Sequence, residues 1–327
     1  METQEIAPPL FYYHKNIEKS AIYLLKVKNN YYICSRSKHS AFKMSIINDT
    51  QMNRMNERIK TMILLFLGMV CAIASAQTYR QVNDISYTVK SDAYSLERLK
   101  LDVYHPEGIT DRPVIVWFHG GGLEGGNKEI PERLKEKDLV VVGVNYRLLP
   151  LVTVEETLDD AAEAVAWAFR QIAEYGGDPR KIVVTGHSAG GYISMMLCLD
   201  KHWLAAYGVD ADNVMMYVPF SGQAITHFNV RKMQGIPPLQ ATIDKYAPLY
   251  WVRGDCPPLV LVCGDRELEL YGRYDENQYL ARMMKLAGHQ QTYLYEIDGH
   301  GHSGMIEPSF HILETHLKQM LGLEVYP

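Results

Sequence analysis

Five stretches of the chain are almost continuously apolar and rich in valine, and each has the length of a single strand. A strand covered by helices on both faces loses the alternation of apolar and polar positions that marks a half-exposed strand, so these stretches predict a parallel sheet. They follow Pro113 and are VIVWFHG, LVVVGVNYRL, KIVVTGHS, VMMYVPFSG and LVLVCG. Two earlier segments, DISYTVKS and RLKLDVYHP, do alternate, which predicts that they pair as antiparallel strands.

Helical patterns lie between the predicted buried strands. The longest, VEETLDDAAEAVAWAFRQIAEYGGD, has apolar positions at helical spacing and is closed by two glycines. Further helices are expected over AGGYISMMLCLD, ENQYLARMMKLAGH and PSFHILETHLKQMLGL. The alternation of strands and helices predicts an α/β fold, with a mainly parallel twisted sheet and helices on both faces. We expect residues 77–327 to form one domain, because no repeat, low-complexity stretch or long linker interrupts them.

The residues before position 77 are not expected to belong to that domain. Residues 1–54 show no sustained strand or helix period, and we expect them to be non-structural or absent from the working protein. Residues 55–76 have the layout of a secretory signal peptide: Arg58 and Lys60, an apolar stretch over 62–73, and an Ala-Ser-Ala cleavage site. We therefore expect translation to start at a methionine between 52 and 62, cleavage before Gln77, and export to the periplasm or the medium. A single membrane anchor is the alternative.

Composition excludes some partners and cofactors. The 327 residues carry a net charge of −5 with no Lys/Arg block in the folded part, which argues against binding to nucleic acid. The five cysteines, at positions 34, 71, 198, 256 and 263, show neither a Cys-x-x-Cys pair nor a regular spacing. No disulfide framework and no metal site is predicted from them. Cys198 and Cys263 lie in apolar runs and are expected to be small core side chains.

Ser188 stands at the centre of GHSAG, residues 186–190, between a predicted buried strand and a predicted helix. A serine hydroxyl is a weak nucleophile until a base takes its proton and a sharp turn lifts it clear of its neighbours. The flanking glycines leave room for such a turn, and the N-terminus of the following helix favours negative charge there. The pattern predicts a catalytic nucleophile; a glycine-rich packing turn is the alternative.

A second glycine-rich segment, HGGG at residues 119–122, closes the first buried strand. Glycines let backbone N–H groups come close enough to hold the oxyanion of an acyl-transfer intermediate. We expect Gly121 and Gly122 to donate from this loop and Ala189 from the turn, while His119 stabilises the loop. A phosphate-binding loop is the alternative, but it requires a Gly-Lys-Ser/Thr sequence that is not present here.

A base and an acid that would complete the site follow two later strands. EIDGHGHSGM offers His300 and His302, and we favour His302 because a short Gly-x-Gly turn precedes it. LVLVCGDRELE ends a buried strand and offers Asp265, Glu267 and Glu269. The order nucleophile, acid, base along the chain is the order found in catalytic triads on α/β sheets.

These motifs resemble the esterases and lipases of the α/β-hydrolase fold that carry HGGG before a GxSAG turn, a branch that includes the hormone-sensitive-lipase-like carboxylesterases. The likeness covers about residues 85–325 and includes NYRLLP and DGHGHSGM. It implies a serine hydrolase that works through an acyl-enzyme without a cofactor. The position that commonly carries the acid falls on Glu267, with Asp265 as the alternative. The chain departs from the branch in having a Glu there, and too few residues before His119 for an N-terminal helical cap.

Residues 221–251 connect two predicted core strands and are rich in aromatic side chains. We interpret this segment as a small lid over the acyl or alcohol pocket, with an ordinary connecting loop as the alternative. His227 and Phe228 in this segment, and His187 next to the predicted nucleophile, are the candidate substrate-binding residues.

The expected function is hydrolysis of short-chain acyl esters. The export signal and an aromatic-rimmed site suggest acetyl or feruloyl esters of plant polysaccharides, so the expected partner is a small-molecule or carbohydrate ester. Amide hydrolysis, by an arylformamidase or peptidase of the same fold, is the alternative within this chemistry. A non-catalytic binding protein of the same fold is the alternative from another class. We expect no stable membrane insertion after signal cleavage, and the oligomeric state stays open.

Overall fold

The computed structural model describes residues 21–27, 30–37, 40–48, 77–237, 239–270 and 272–323. These residues form two compact units, one ending at Thr78 and the other beginning at Tyr79. The predicted signal peptide, residues 55–76, lies outside the described residues. Within the described ranges, no helix combines the length and the apolar character that crossing a membrane requires.

The first unit contains an antiparallel three-stranded sheet of β1 (Ala21–Val27), β2 (Asn30–Ser37) and β3 (Ser40–Asn48), in that order. From the sequence, no regular structure is expected in this segment, because it lacks a sustained strand or helix period. The strands are instead rich in Tyr and Ile, which favour strand formation. Only two residues separate successive strands, so their pairing is local.

The second unit is built on an eight-stranded sheet of order β11-β10-β9-β8-β6-β7-β5-β4. Pairing is antiparallel from β4 to β5 and from β5 to β7, and parallel elsewhere. The predicted antiparallel pair is present, although its first strand lies earlier in the chain than the alternation suggested. The strands are β4 (Tyr79–Ser86), β5 (Lys100–Pro106), β6 (Arg112–Phe118), β7 (Val140–Val144), β8 (Gly177–His187), β9 (Met216–Phe220), β10 (Leu259–Gly264) and β11 (Thr292–Ile297).

Helices pack on both faces of this sheet. They are α1 (Ala93–Arg98), α2 (Val154–Gln171), α3 (Ala189–Leu199), α4 (His202–Ala205), α5 (Phe228–Met233), α6 (Arg273–Leu286) and α7 (Ile306–Met320). Helix α2 begins where the Thr153 hydroxyl and the Glu156 carboxylate cap each other's backbone N–H groups. Apolar side chains of α2, α3 and α6 belong to one core cluster, and those of α7 belong to a second. The α/β-hydrolase fold predicted from the sequence is confirmed.

Candidate active site

Ser188 occupies a strained turn between β8 and α3, with φ 57° and ψ −111°. Few residues other than glycine adopt a positive φ, and such strain is typical of functional positions. The turn is possible because its neighbours have no side chains: a Cβ on Gly190 would lie 2.0 Å from the carbonyl oxygen of Phe118. A Cβ on Gly186 would lie 2.5 Å from the same oxygen. The two glycines therefore let the elbow press against β6.

The hydroxyl of Ser188 meets the His302 imidazole, whose ring is held on its far side by Glu269. The Ser188 Oγ lies 2.9 Å from His302 Nε2, and His302 Nδ1 lies 2.6 Å from Glu269 Oε1. A carboxylate only accepts hydrogen bonds, so Nδ1 carries the imidazole proton and the Nε2 lone pair faces the serine hydroxyl. This is the tautomer that a general base requires.

The acid in contact with His302 is Glu269, not Glu267 or Asp265. The Asp265 carboxylate accepts from the backbone N–H groups of Glu267, at 2.9 Å, and Gly299, at 2.8 Å, so it braces the loop. The Glu267 side chain is exposed to solvent. After β10 the chain makes a tight turn in which the N–H groups of Leu268 and Glu269 both donate to the Asp265 carbonyl. That turn carries the fifth residue beyond the strand, rather than the third, back toward the imidazole.

Four donors surround the buried Glu269 carboxylate. Besides His302, they are the backbone N–H of Leu270 at 2.8 Å, the Ser221 hydroxyl at 2.7 Å and the backbone N–H of Gly264 at 3.2 Å. Burial raises the pKa of Glu269, but the hydrogen bond and charge interaction with His302 and the other donors outweigh it and lower the pKa to about 2. The carboxylate is therefore ionised throughout the neutral range.

Ser221, which directly follows β9, was not predicted as a site residue. Its backbone has φ 48°, and its Oγ lies 3.0 Å from His302 Nδ1 while donating to Glu269. The buried Arg273 guanidinium donates to the Ser221 carbonyl oxygen and lies 3.4 Å from its Oγ. Ser221 thus joins the acid, the base and a buried cation. Its place at the carboxyl end of a core strand was the signal available in the sequence.

His187, predicted as a substrate-binding residue, faces the loop that carries His302. Its Nε2 donates to the His302 carbonyl oxygen at 2.8 Å, and the two rings lie 4.6 Å apart. Burial, together with repulsion from His302, lowers the pKa of His187 to about 4. The ring is therefore neutral at pH 7. In the structure His187 holds the His302 loop in place, whereas the sequence suggested that it binds substrate.

The HGGG loop lies against the elbow that carries Ser188. A Cβ on Gly120 would lie 3.4 Å from the Ser188 Cβ, and Gly121 and Gly122 both have positive φ, at 112° and 66°. Within residues 77–237, 239–270 and 272–323, the backbone N–H groups of Gly121, Gly122 and Ala189 donate to no backbone acceptor. These three N–H groups are therefore not used by backbone hydrogen bonds among the described residues.

His119 is buried beneath this loop and does not reach the serine. Its ring stacks on Tyr146 at 4.4 Å, and the Tyr146 hydroxyl donates to the His119 carbonyl oxygen at 2.8 Å. Burial lowers the pKa of His119 to about 4, so the ring is neutral at pH 7. His300 is exposed, and its Nδ1 lies 2.8 Å from the Asp298 carbonyl oxygen. Neither histidine contacts Ser188.

The segment interpreted as a lid contains the short helix α5, which packs on the HGGG loop. The Asn229 side-chain amide donates to the Gly122 carbonyl oxygen at 2.6 Å, and the Phe228 ring lies 3.4 Å from where a Gly122 Cβ would be. His227 caps the helix through Nδ1 and is fully buried against Phe228 and Tyr192. Phe228 thus adjoins the loop expected to hold the oxyanion, while His227 is buried against the Phe228 and Tyr192 rings.

In the part of the chain that the structure describes, no three His, Cys, Asp or Glu side chains are grouped so that they could hold a metal ion. The site consists of the strained serine, the imidazole, the carboxylate and the glycine loop. This arrangement, on the carboxyl ends of a mainly parallel eight-stranded sheet, defines the class as an α/β-hydrolase.

Comparison with known proteins narrows this class to a family. The model of the carboxylesterase family matches residues 69–242, just over half of the chain, and the protein belongs to that family. Among curated relatives, carboxylesterase NlhH of Mycobacterium tuberculosis is 37% identical over 108 residues, covering 31% of this chain and 34% of that protein. A probable isoprenylcysteine alpha-carbonyl methylesterase of Oryza sativa is 28% identical over 176 residues, covering 48% of this chain and 41% of its own. The chain thus spans less than half the length of these relatives.

Solved structures share the fold. A truncated carbohydrate esterase from gut microbiota superimposes with a TM-score of 0.62 at 18% identity, covering 75% of this chain and 98% of that one. Esterase Est2 of Thermogutta terrifontis gives a TM-score of 0.59 at 22% identity, covering 73% and 92% of the two chains.

Proposed function

We propose that this protein is a serine carboxylesterase that hydrolyses short-chain acyl esters through an acyl-enzyme. One observation carries the proposal: the unbroken line of hydrogen bonds from the Ser188 hydroxyl through His302 to Glu269, at 2.9 and 2.6 Å. Membership of the carboxylesterase family supports it.

In this mechanism the Ser188 oxygen attacks the ester carbonyl while His302 Nε2 takes its proton. The ionised Glu269 stabilises the imidazolium that forms, and the backbone N–H groups of Gly121, Gly122 and Ala189 hold the oxyanion. His302 then returns the proton to the departing alcohol, which leaves the acyl group on serine. Water, deprotonated by the same imidazole, releases the acid and restores the serine.

The preference for short acyl groups is supported by the packing of α5. The Phe228 ring and the Asn229 amide both lie against Gly122, in the loop expected to hold the oxyanion. Acetyl or feruloyl esters of plant polysaccharides are the substrates we propose. The fold is shared with a carbohydrate esterase from gut microbiota, which supports this choice. The narrower assignment to the hormone-sensitive-lipase-like branch stays a prediction.

A substrate panel tests this proposal. Purified protein is assayed with p-nitrophenyl acetate, butyrate and decanoate, with acetylated xylan and methyl ferulate, and with aminoacyl anilides. We expect turnover that falls with acyl length and negligible cleavage of amides. Amide cleavage faster than ester cleavage would replace esterase by amidase, and a folded protein that turns over none of these substrates would favour a binding protein.

Two matched histidines provide the internal control. His302→Ala is expected to lower kcat at least about 10³-fold, because no base then faces Ser188. His300→Ala is expected to keep wild-type turnover, since this exposed ring bonds to the Asp298 carbonyl oxygen of its own loop rather than to Ser188. Equal losses in the two variants would contradict the assignment of the base.

We also propose export, with cleavage before Gln77, on the basis of the signal-peptide layout in the sequence. N-terminal sequencing of the protein from its native source tests this. A mature chain that retains residues 1–50 would overturn it.

A further inference from the structure

Two buried cysteines from distant parts of the chain meet beside the nucleophile helix. Cys198 lies in the last turn of α3, and Cys256 lies in the connection that leads into β10, 58 positions later (256 minus 198). A hydrogen bond between the two side chains contributes to the pKa of each thiol, and both residues belong to the same hydrophobic core cluster. Cys263, in β10, is also buried. Sequence spacing gave no reason to pair any of these residues.

Polar contacts fix the two segments against each other. The Arg253 guanidinium donates through Nε, at 3.3 Å, and Nη2, at 2.8 Å, to the carbonyl oxygen of Cys198. It also donates to Asp255 at 3.0 Å and to Asp212 at 2.6 Å. The connection is therefore tied to the end of α3 by the residue three positions before Cys256, and the thiol contact is part of an organised junction.

The surroundings of the two thiols differ in a way that suits thiol–disulfide exchange. Cys198 is fully buried, and burial raises the pKa of its thiol well above the usual range. Cys256 is 7% exposed, and its Sγ lies 3.4 Å from His289 Nε2. The hydrogen bond from Cys198, aided by the Arg253 charge, lowers the pKa of Cys256 despite its burial. Cys256 is thus the thiol that ionises first and the one nearer to solvent.

We propose that Cys198 and Cys256 form an intramolecular disulfide when the chain meets a disulfide oxidant, such as oxidised glutathione or an oxidised dithiol protein. The Cys256 thiolate attacks the oxidant's disulfide bond, forming a mixed disulfide and releasing one thiol. Cys198 then loses its proton and attacks the Cys256 sulfur, releasing the second thiol. Two cysteine thiols are oxidised to one disulfide, and the oxidant's disulfide is reduced to two thiols. This inference is independent of the esterase function.

The cross-link would close a long loop that contains β9, Ser221 and helix α5. It would also join the end of α3, the helix that begins at the Ser188 elbow, to the strand β10 that precedes Glu269. A loop of this length is in the range where a disulfide stabilises a protein appreciably, mainly by restricting the unfolded chain. For a domain of this size we expect the Tm to rise by roughly 4–16 °C on oxidation. The predicted export would place the chain where such oxidants act.

Peptide mapping of the full chain tests the proposal. Protein is equilibrated with oxidised glutathione, its free thiols are alkylated under denaturing conditions, and it is digested with trypsin without reduction. Cys256 and Cys263 fall in one tryptic peptide, residues 254–266, so the Cys263→Ala variant is needed to assign the bond. We expect peptide 182–201 cross-linked to 254–266 in the wild type and in Cys263→Ala, with the intact chain lighter by two hydrogen atoms.

The controls make the result decisive. Dithiothreitol should separate the peptides and lower the Tm of the wild type and of Cys263→Ala, but should not change the Tm of Cys256→Ala. The wild-type map stands on its own if a variant folds poorly. Alkylation of both Cys198 and Cys256 after oxidation, or a cross-link that disappears in Cys263→Ala, would overturn the proposal.

Discussion

Replacing Glu269 by glutamine should disable the site while leaving its shape nearly unchanged. All four groups around this carboxylate act as donors: the His302 imidazole, the Leu270 and Gly264 N–H groups and the Ser221 hydroxyl. A glutamine has one oxygen and one NH₂. Its NH₂ group must therefore face a group that is itself a hydrogen-bond donor. If the NH₂ faces His302, the imidazole proton moves to Nε2, and that nitrogen no longer accepts from Ser188.

The expected size follows from the charge and from the tautomer. The site lowers the pKa of Glu269 from 4.5 to about 2, which corresponds to at most about 3 kcal/mol favouring the anion. Removing that charge from beside the forming imidazolium accounts for a loss of roughly 10²-fold. The wrong tautomer adds at least roughly another factor of ten, so kcat should fall at least about 10³-fold, equivalent to about 4 kcal/mol. KM should change little, because Glu269 does not contact the expected acyl position.

The assay is the initial rate of p-nitrophenyl acetate hydrolysis, with the Tm of each variant measured to confirm folding. Glu267→Gln is the matched control, because the same substitution two positions earlier alters only an exposed side chain. It should keep activity within about twofold of the wild type, as is usual for exposed sites remote from the chemistry. The reasoning is refuted if Glu269→Gln, correctly folded, keeps more than a third of the wild-type kcat, or if Glu267→Gln loses as much.

Three further predictions concern the turn, the support of the acid and the pH range. Gly190→Ala should give little active protein, since its Cβ would lie 2.0 Å from a carbonyl oxygen of β6; soluble, active enzyme with an unchanged Tm would contradict this. Ser221→Ala should lower kcat by roughly 10-fold and leave KM unchanged. It should also shift the pH profile of kcat, because Ser221 positions the acid and the base. A mere loss of stability would leave that profile unchanged. His119 and His187 each have a pKa near 4 when folded and about 6.5 when unfolded, so above pH 6.5 each is neutral in both states. As the pH falls from 6.5 to about 4, the unfolded state takes up the proton before the folded state does, which lowers the free energy of unfolding by on the order of 3 kcal/mol for each histidine. Urea unfolding at pH 7, 5.5 and 4.5 should show this decline, with a shallower decline in His187→Asn; parallel declines in the two proteins would argue against it.

The sequence allowed the pairing of Ser188 with His302 to be predicted because the constraints on each residue are local. Ser188 needs small neighbours on a strand-to-helix turn, and GHSAG shows them directly. The preference for His302 over His300 came from a short glycine turn. In the structure the His302 ring lies against the serine, and the His300 ring does not. The parallel sheet likewise follows from continuous apolar runs.

The acid was assigned to the wrong position because its placement depends on a turn that composition does not reveal. Counting from the end of β10 favoured Glu267, but the N–H groups of Leu268 and Glu269 both bond to the Asp265 carbonyl, and this turn brings Glu269 inward. The contact that His187 makes with the His302 loop was missed for a related reason. Its partner is a carbonyl 115 positions away, and no local pattern indicates such a contact.

The central claim is that the Ser188 oxygen is a nucleophile, activated by His302 and Glu269 beside a cluster of backbone donors. Labelling of the folded protein by a fluorophosphonate, followed by peptide mass spectrometry, tests this most directly. We predict one adduct on Ser188, formed rapidly in the wild type and in Glu267→Gln, at least about 100-fold more slowly in Glu269→Gln, and not at all in Ser188→Ala. No adduct on folded wild-type protein, or an adduct on another residue that persists in Ser188→Ala, would contradict the account.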